Sequence, residues 1–366
     1  MAKKIKKWWF IPIVFAFIVY VFVTARPISE EIILSPRWIS SLESNNPVYL
    51  GAYTHVPADE LLPFVMGEHF GYIRDDGTFA LKQTSGYYIS ISERYWAEYE
   101  NIPSSIQVMN YLNEPVFSID GAAGYPLFLD DRVFIIGLEQ NSLTSIGSAG
   151  EILWNHDFPA PITCIDAAGG HVLVGTLDGT VELLDSSGRQ VFTPFEPGGS
   201  RLPIILGCAI SRDASSLAII SGIDEQRFLL LERAGENYRV IYHEFLGAGF
   251  RRPVHVSFVD NDSKVAFENE GGLGIYDISA RTSHYLPLNG EVEIMDNSGG
   301  ETFLFLITSR HSLGITGEKH FVAIRYPASI IMDAPFQGEN VFLSRRGNIV
   351  YFGSDHSLAS FLLERK

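Results

Sequence analysis

The sequence predicts an all-β fold: a β-propeller of about seven four-stranded blades, preceded by one N-terminal transmembrane signal-anchor helix. Three observations predict it. A strand-turn-strand-turn phrase recurs along the chain, apolar stretches begin near the interval expected of propeller blades, and an uncharged run follows a lysine cluster at the start. The 33 glycines, the 13% aromatic content and the lack of a clear helical stripe after residue 60 suit many short strands with glycine-rich turns.

The best-kept copy of the phrase is His171-Val-Leu-Val-Gly-Thr-Leu-Asp-Gly-Thr-Val-Glu-Leu-Leu-Asp-Ser-Ser-Gly-Arg-Gln-Val-Phe192. Its turn, Asp178-Gly179, is a hairpin signal because a tight primed turn needs positive φ, which glycine adopts without a Cβ clash. Upstream, residues 70–81 place Asp76-Gly77 at the same point of the phrase. Residues 132–143 keep the order with Gln140-Asn141 at the turn, and residues 349–358 keep it with His356 in place of the glycine. Gly150 and Trp154 have the spacing of Gly188 and Phe192, so Gly188 joins Asp76, Gly77, Asp178 and Gly179 as a turn residue of the repeat.

Weaker copies fill the gaps. Apolar stretches at 116–120, 162–166, 204–210, 254–258, 292–295 and 329–332 recur near the usual blade period, and each reads as an innermost strand. With a first block near 48–100 they divide the chain into units of 48–105, 106–159, 160–200, 201–249, 250–289, 290–327 and 328–366. The long, irregular first unit leaves six and eight as neighbouring counts. A short helix is expected around 57–62, and Val48–Tyr53 is the expected ring-closing strand, since closure removes exposed sheet edges.

The first residues are of another kind. Lys3, Lys4, Lys6 and Lys7 form a basic cytoplasmic stub, 1–7, ahead of the uncharged run 8–24. That run is long for a signal sequence and near the lower limit for crossing a hydrocarbon core. The lysines predict a cytoplasmic N-terminus and an exported remainder. Trp8 and Trp9 suit the interfacial belt, and Phe10, Phe15, Phe17 and Phe22 are the apolar anchor residues. Val23-Thr24-Ala25 leaves cleavage after Ala25 as the alternative. Residues 25–47 read as a tether to a propeller over 48–366: three prolines argue against one helix, while Ile32, Ile33, Leu34, Trp38 and Ile39 suggest partial packing.

The net charge is −16, and removing the four positive charges of residues 1–24 leaves −20 for the exported part. Such an acidic domain disfavours nucleic acid and anionic lipid as partners. The doublets Arg251-Arg252 and Arg345-Arg346 read as solvated blade edges. Cys164 and Cys208 occupy comparable positions in neighbouring inner strands and are expected as buried free thiols, since such strands usually lie beyond bridging distance.

No catalytic constellation is present in the sequence. None of the ten histidines forms a paired helical ligand motif, no Gly-x-Ser-x-Gly elbow or phosphate loop occurs, and no cofactor is expected. Asp75-Asp76, Asp130-Asp131 and Asp260-Asn-Asp262 lack the dense spacing of a calcium loop and read as turns.

Residues 172–181, with Leu184-Asp185, Gly188 and the pair Gly150 and Trp154, resemble the PQQ-like repeat of the superfamily that holds quinoprotein dehydrogenases and outer-membrane-assembly propellers. Ile275-Tyr-Asp-Ile278 looks closer to the end of a WD40-type blade. The resemblance implies a propeller scaffold. Its enzymatic members carry adjacent cysteines and clustered calcium-binding acids, which this sequence lacks, so a non-enzymatic member is expected.

Two functions follow. The first is a membrane-tethered, exported propeller acting as a protein-interaction scaffold in the cell envelope, with unknown envelope proteins as partners. The second is an exported propeller enzyme or small-molecule sensor with its site in the central channel. For the first, Tyr87, Tyr88, Arg94, Tyr95, Trp96 and Tyr99 are the candidate partner-binding residues. They lie where the repeat is least regular, and interface hot spots favour Tyr, Trp and Arg. Blade-packing aromatics are the competing explanation for the same residues.

Overall fold

The computed structural model describes residues 14–17, 20, 32–43, 48–49, 60–121, 123–192, 194–247, 249–296, 301–312 and 315–365. Within them the chain forms eight antiparallel sheets, seven of four strands and one of three. Each is a blade, and the innermost strands of neighbouring blades line up around the ring. The innermost strands of blades 1 to 8 are Leu61–Met66, Tyr88–Ile91, Gly124–Leu129, Ile162–Ala168, Ile205–Ile210, Val256–Val259, Glu291–Met295 and Val341–Arg346.

Eight blades replace the expected seven because residues 48–159 hold three sheets where two units were expected. The apolar stretch at 116–120 belongs to Pro115–Asp120, the outermost strand of blade 2, and the stretch at 329–332 belongs to Ser329–Phe336, the outermost strand of blade 7. Inner and outer strands are equally apolar in these copies, so hydropathy alone does not separate them. Leu61 and Leu62, expected at the end of a short helix, open the inner strand of blade 1.

Closure comes from the expected tether. Ile32–Ser41 pairs antiparallel with Ser357–Arg365, Ile32 opposite Arg365 and Ser41 opposite Ser357, and so supplies the outermost strand of blade 8. Pro36 sits there at a register shift on an edge strand, where a missing N–H removes no interior ladder bond. Val48–Tyr49, part of the expected closing strand, instead pairs with Leu81 and Lys82 as the outer strand of blade 1.

Blade 1 has reversed polarity. Leu61 O accepts a 2.7 Å hydrogen bond from Arg346, at the end of the inner strand of blade 8, while Gly67 lies against Asn340, just before that strand begins. The two inner strands therefore run in opposite directions. Parity requires this: only three hairpin-linked strands separate Leu61 from blade 2, so the first must run backwards to deliver the chain to the correct face.

The core lies between blades. Leu206, Phe228, Phe267 and Tyr276 fill one layer between blades 5 and 6, with the Phe228 and Phe267 rings stacked 4.5 Å apart. Outer strands lock onto the next blade through glycine turns. The Trp154 indole N–H donates to Ser186 O at 3.0 Å, and a Cβ on Gly188 (φ +76) would stand 2.6 Å from the Trp154 ring. Trp38 of the closing strand does the same, donating to Asp75 O at 2.7 Å and covering Gly77 (φ +84). Gly150 packs on Phe117 in the same way. The Gly–aromatic spacing of the repeat thus has a physical reason: the glycine of one blade admits the aromatic ring of the blade before it.

Candidate functional site

The ring has two faces. The upper face is defined here as the end where the inner strands of blades 2 to 8 begin, and the lower face as the end where they finish. Toward the lower face, every blade junction is clasped by a polar contact. Tyr72 Oη donates to Ser92 O (2.9 Å) between blades 1 and 2, and Arg94 pairs with Asp131 (3.4 Å) between blades 2 and 3. Arg132 donates to His171 O (2.7 Å), and Ile210 N–H donates to Asp166 (2.9 Å). Arg212 pairs with Asp262 (3.1 Å), and Thr302 N–H donates to Asp260 (3.2 Å). Arg345 donates to Phe303 O (2.8 Å), and Arg346 closes the circle on Leu61 O.

These contacts explain the acidic turns. Asp130 and Asp131, and Asp260 to Asp262, adopt positive φ and direct their side chains to a neighbouring blade's Arg or backbone N–H. Asp260 also holds Lys264 at 2.8 Å. Among the described residues no group of three His, Cys, Asp or Glu side chains could hold a metal ion. The arginine doublets correct the expectation of solvated edges: Arg345 is buried, and Arg252 bonds Glu268 through two nitrogens at 2.6 and 3.0 Å.

The expected partner-binding residues do not form one patch. The strand Tyr95–Tyr99 runs from the lower to the upper face and divides them. Trp96 is buried, its ring tilted 54° against Phe70 of blade 1 at 4.9 Å, with its indole N–H donating to Asn110 O at 3.0 Å. It is a packing residue and leaves the candidate site. Tyr95 packs on Phe117 and Phe128, and Arg94 faces its clasp partner Asp131. Strand alternation accounts for the split, since Tyr95 and Tyr99 point toward blade 3 while Trp96 points back toward blade 1.

What remains is an upper-face cluster on blades 2 and 3. Tyr87 and Tyr88 are each 58% exposed. Tyr88 stacks on Tyr99 with centroids 5.7 Å apart and planes at 27°, and Tyr99 lies 6.2 Å from Tyr125 at the start of blade 3. Beside this aromatic ladder is a cleft of about 280 Å³ lined by Tyr87, Glu98, Tyr99, Glu100, Pro103 and Ser105. Glu98 is held by the Ser85 hydroxyl, and Glu100 is exposed. Aromatic faces beside carboxylates suit a segment that carries both cationic and apolar side chains. Tyr125 was missed because residues 106–159 read as a single blade. The pairing of Tyr88 with Tyr99 across the first hairpin of blade 2 is the signal that marks the ladder.

Across the ring, between blades 6 and 7, a second upper-face cleft of about 390 Å³ is lined by Phe250, Glu268, Asn269 and Glu291 among others. Its buried Glu268 is consumed by Arg252 and by backbone N–H groups of His255 and Val292, so this cleft is built as a joint. Burial holds the neighbouring His255 imidazole below the usual histidine range.

Comparison with known proteins agrees with this architecture. A family model described as "beta-propeller protein" matches residues 1–365. The chain belongs to that family. It is 28% identical over 297 residues, 80% of this chain, to an uncharacterized protein of Treponema pallidum (strain Nichols), covering 78% of that relative. In fold it is similar to BamB from Moraxella catarrhalis, with a TM-score of 0.60 and 12% identity over 90% of this chain and all of that one. It is equally similar to the computationally designed Ika8 protein, at 0.60 and 12%, over 88% of this chain and 98% of that one.

Of the expected anchor residues, Trp8, Trp9, Phe10 and Phe22 lie outside the described residues. Phe15 and Phe17 fall in the helical residues 14–17 and are exposed. Among the described residues no helix is long and apolar enough to cross a membrane.

Proposed function

We propose that this chain is a membrane-tethered, exported propeller that docks a protein partner on its upper face, with no catalytic role. The observation that carries the reading is the ladder Tyr88, Tyr99 and Tyr125 with Tyr87 beside it. Tyr87 and Tyr88 are exposed beside the half-buried Tyr99 and Tyr125, and aromatic surface left open on one face is what a hot spot requires. The carboxylates of Glu98 and Glu100 select a partner segment bearing Lys or Arg next to apolar side chains. The propeller of BamB shares the fold only.

Orientation supports the same reading. The closing strand enters at the lower face, where Ile32 pairs with Arg365. If residues 8–24 are the anchor, residues 25–31 span at most about 25 Å, which turns the lower face to the membrane and the upper face outward. Cross-linking mass spectrometry on intact membranes tests the docking. Cross-links from one protein onto residues 85–105 and 123–127 are expected. Recovery of none there, together with turnover of a small molecule by the purified chain, overturns it. Mass spectrometry of the mature N-terminus tests the anchor, which a chain starting at Arg26 would refute.

A further inference from the structure

Among the described residues blade 4 is the one three-stranded sheet, although its sequence is the best-kept copy of the repeat. After Leu184 only isolated bridges, Leu184 with Gln190 and Val181 with Phe195, stand where a fourth strand would run. Phe192 still packs on Tyr238 of blade 5 with centroids 5.3 Å apart, and the joint is also made on the inside of the ring. The Thr163 hydroxyl donates to Ile205 O at 2.5 Å, and Ile210 N–H donates to Asp166 at 2.9 Å. These two bonds hold the inner strands of blades 4 and 5 side by side and parallel. Cys164 and Cys208 lie between them, one on each strand.

Both cysteines point into the same interblade layer. Cys208 is packed in it, with its Sγ 3.9 Å from Leu173 O of blade 4, and Cys164 packs against the same cluster from the other side. The Cys164 sulfur fills the space beside Gly175, where a Cβ would stand 2.6 Å away. In the structure both are free thiols, as expected, Cys208 buried and Cys164 half-buried, and the two strands that carry them are hydrogen-bonded neighbours. We propose that Cys164 and Cys208 form a disulfide that staples blade 4 to blade 5, at the joint where the outer strand is missing.

The chemistry balances with an external disulfide as oxidant. The half-buried Cys164 attacks, as thiolate, one sulfur of the oxidant and releases one thiolate from it. Cys208 then loses its proton and attacks the Cys164 sulfur, releasing the second thiol, so two protein thiols are oxidised and one external disulfide is reduced. The hydrogen bond with the Cys164 side chain and burial both raise the Cys208 thiol well above its ordinary range, which makes Cys164 the first nucleophile and the closing attack the slow one. In the cell the staple depends on the proposed export, because an oxidising compartment supplies such oxidants.

The test treats the purified, reduced full chain with oxidised glutathione, then denatures it in a maleimide and measures its intact mass. Loss of two hydrogens, no maleimide addition and a linked peptide joining residues 162–168 to 205–210 are expected, with a raised melting temperature. Cys164→Ser should abolish the link and leave Cys208 open to maleimide after denaturation. Two maleimides on the oxidised wild type, or a glutathione adduct that persists on Cys164, overturns the proposal. Trapping whole cells with maleimide before lysis separates the two readings. Free thiols there, with a link formed in vitro, would refute export and leave the geometry standing.

Discussion

The lower and upper faces of this ring spend their polar and aromatic side chains differently. On the lower face Arg132, Arg212, Arg345 and Arg346 reach across junctions to carbonyls or carboxylates, and the acidic turns are used up in holding blades together. On the upper face of blades 2 and 3, Tyr87 and Tyr88 stand more than half exposed, and their neighbours do not need them to complete a core. The lesson is that lower-face charge in this propeller is used in assembly, whereas the exposed tyrosines of the upper face are left over from it. A reading that treats every surface charge as solvated, or every aromatic as core, misplaces both.

That contrast is breakable. The largest effect is expected at Arg345, which is 6% exposed and donates to the carbonyls of Phe303, Glu301 and Gly347. Arg345→Ala removes a buried guanidinium and leaves the buried Phe303 carbonyl without it, and should lower stability by about 3 kcal/mol in urea unfolding; an unchanged midpoint would show that the clasp is ornamental. Next is Asp166, whose carboxyl burial pushes up to about 6 despite hydrogen bonds from Ile210 and Ala167. A carboxyl with a raised folded pKa contributes its stability below the ordinary value of 3.8 and loses it as pH climbs through about 6. Wild type should therefore lose about 2 to 3 kcal/mol relative to Asp166→Asn between pH 4 and pH 7, read from paired melts across that range. Parallel curves would place the titration elsewhere.

Smaller effects sharpen the comparison. Gly188→Ala meets both a positive φ and the Trp154 ring, while Gly121→Ala meets a positive φ of +75 with open space around it. The first should cost about 2 kcal/mol and the second about 1; equal losses would mean that the aromatic lock adds nothing. The smallest is expected on the upper face. Tyr88→Ala should change stability by about 0.5 kcal/mol, and the exposed pair Arg94 and Asp131 should yield no more when Arg94→Ala breaks it. Tyr88→Ala alone should remove the partner cross-links. If Tyr88→Ala unfolds the chain, the ladder is a packing element.

Much of the ring was legible in the sequence where the Gly–aromatic lock is kept. Residues 130–192 show it because Gly150 must admit Phe117 and Gly188 must admit Trp154, so spacing and chemistry agree there. Around 48–120 the signal fades for physical reasons. Blade 1 takes its outer strand from upstream and runs its inner strand backwards, and blade 2 opens on the four-residue strand Tyr88–Ile91, too short to show an apolar run. The closing strand stayed hidden because Ile32–Ser41 finds its partner more than three hundred residues away, which no local pattern reports. At the candidate site, composition drew attention to the tyrosines. Only the alternation of Tyr95–Tyr99 across the sheet separates the buried Trp96 from the upper-face ladder.

The pairing of Ile32–Ser41 with Ser357–Arg365 also sets a schedule for biosynthesis. The strand made early must wait for one made more than three hundred residues later, a delay on the order of tens of seconds at ordinary rates of synthesis. During that interval its edge is unsatisfied and able to pair with another chain. Whatever attends the nascent chain must keep that edge solitary until the last blade arrives.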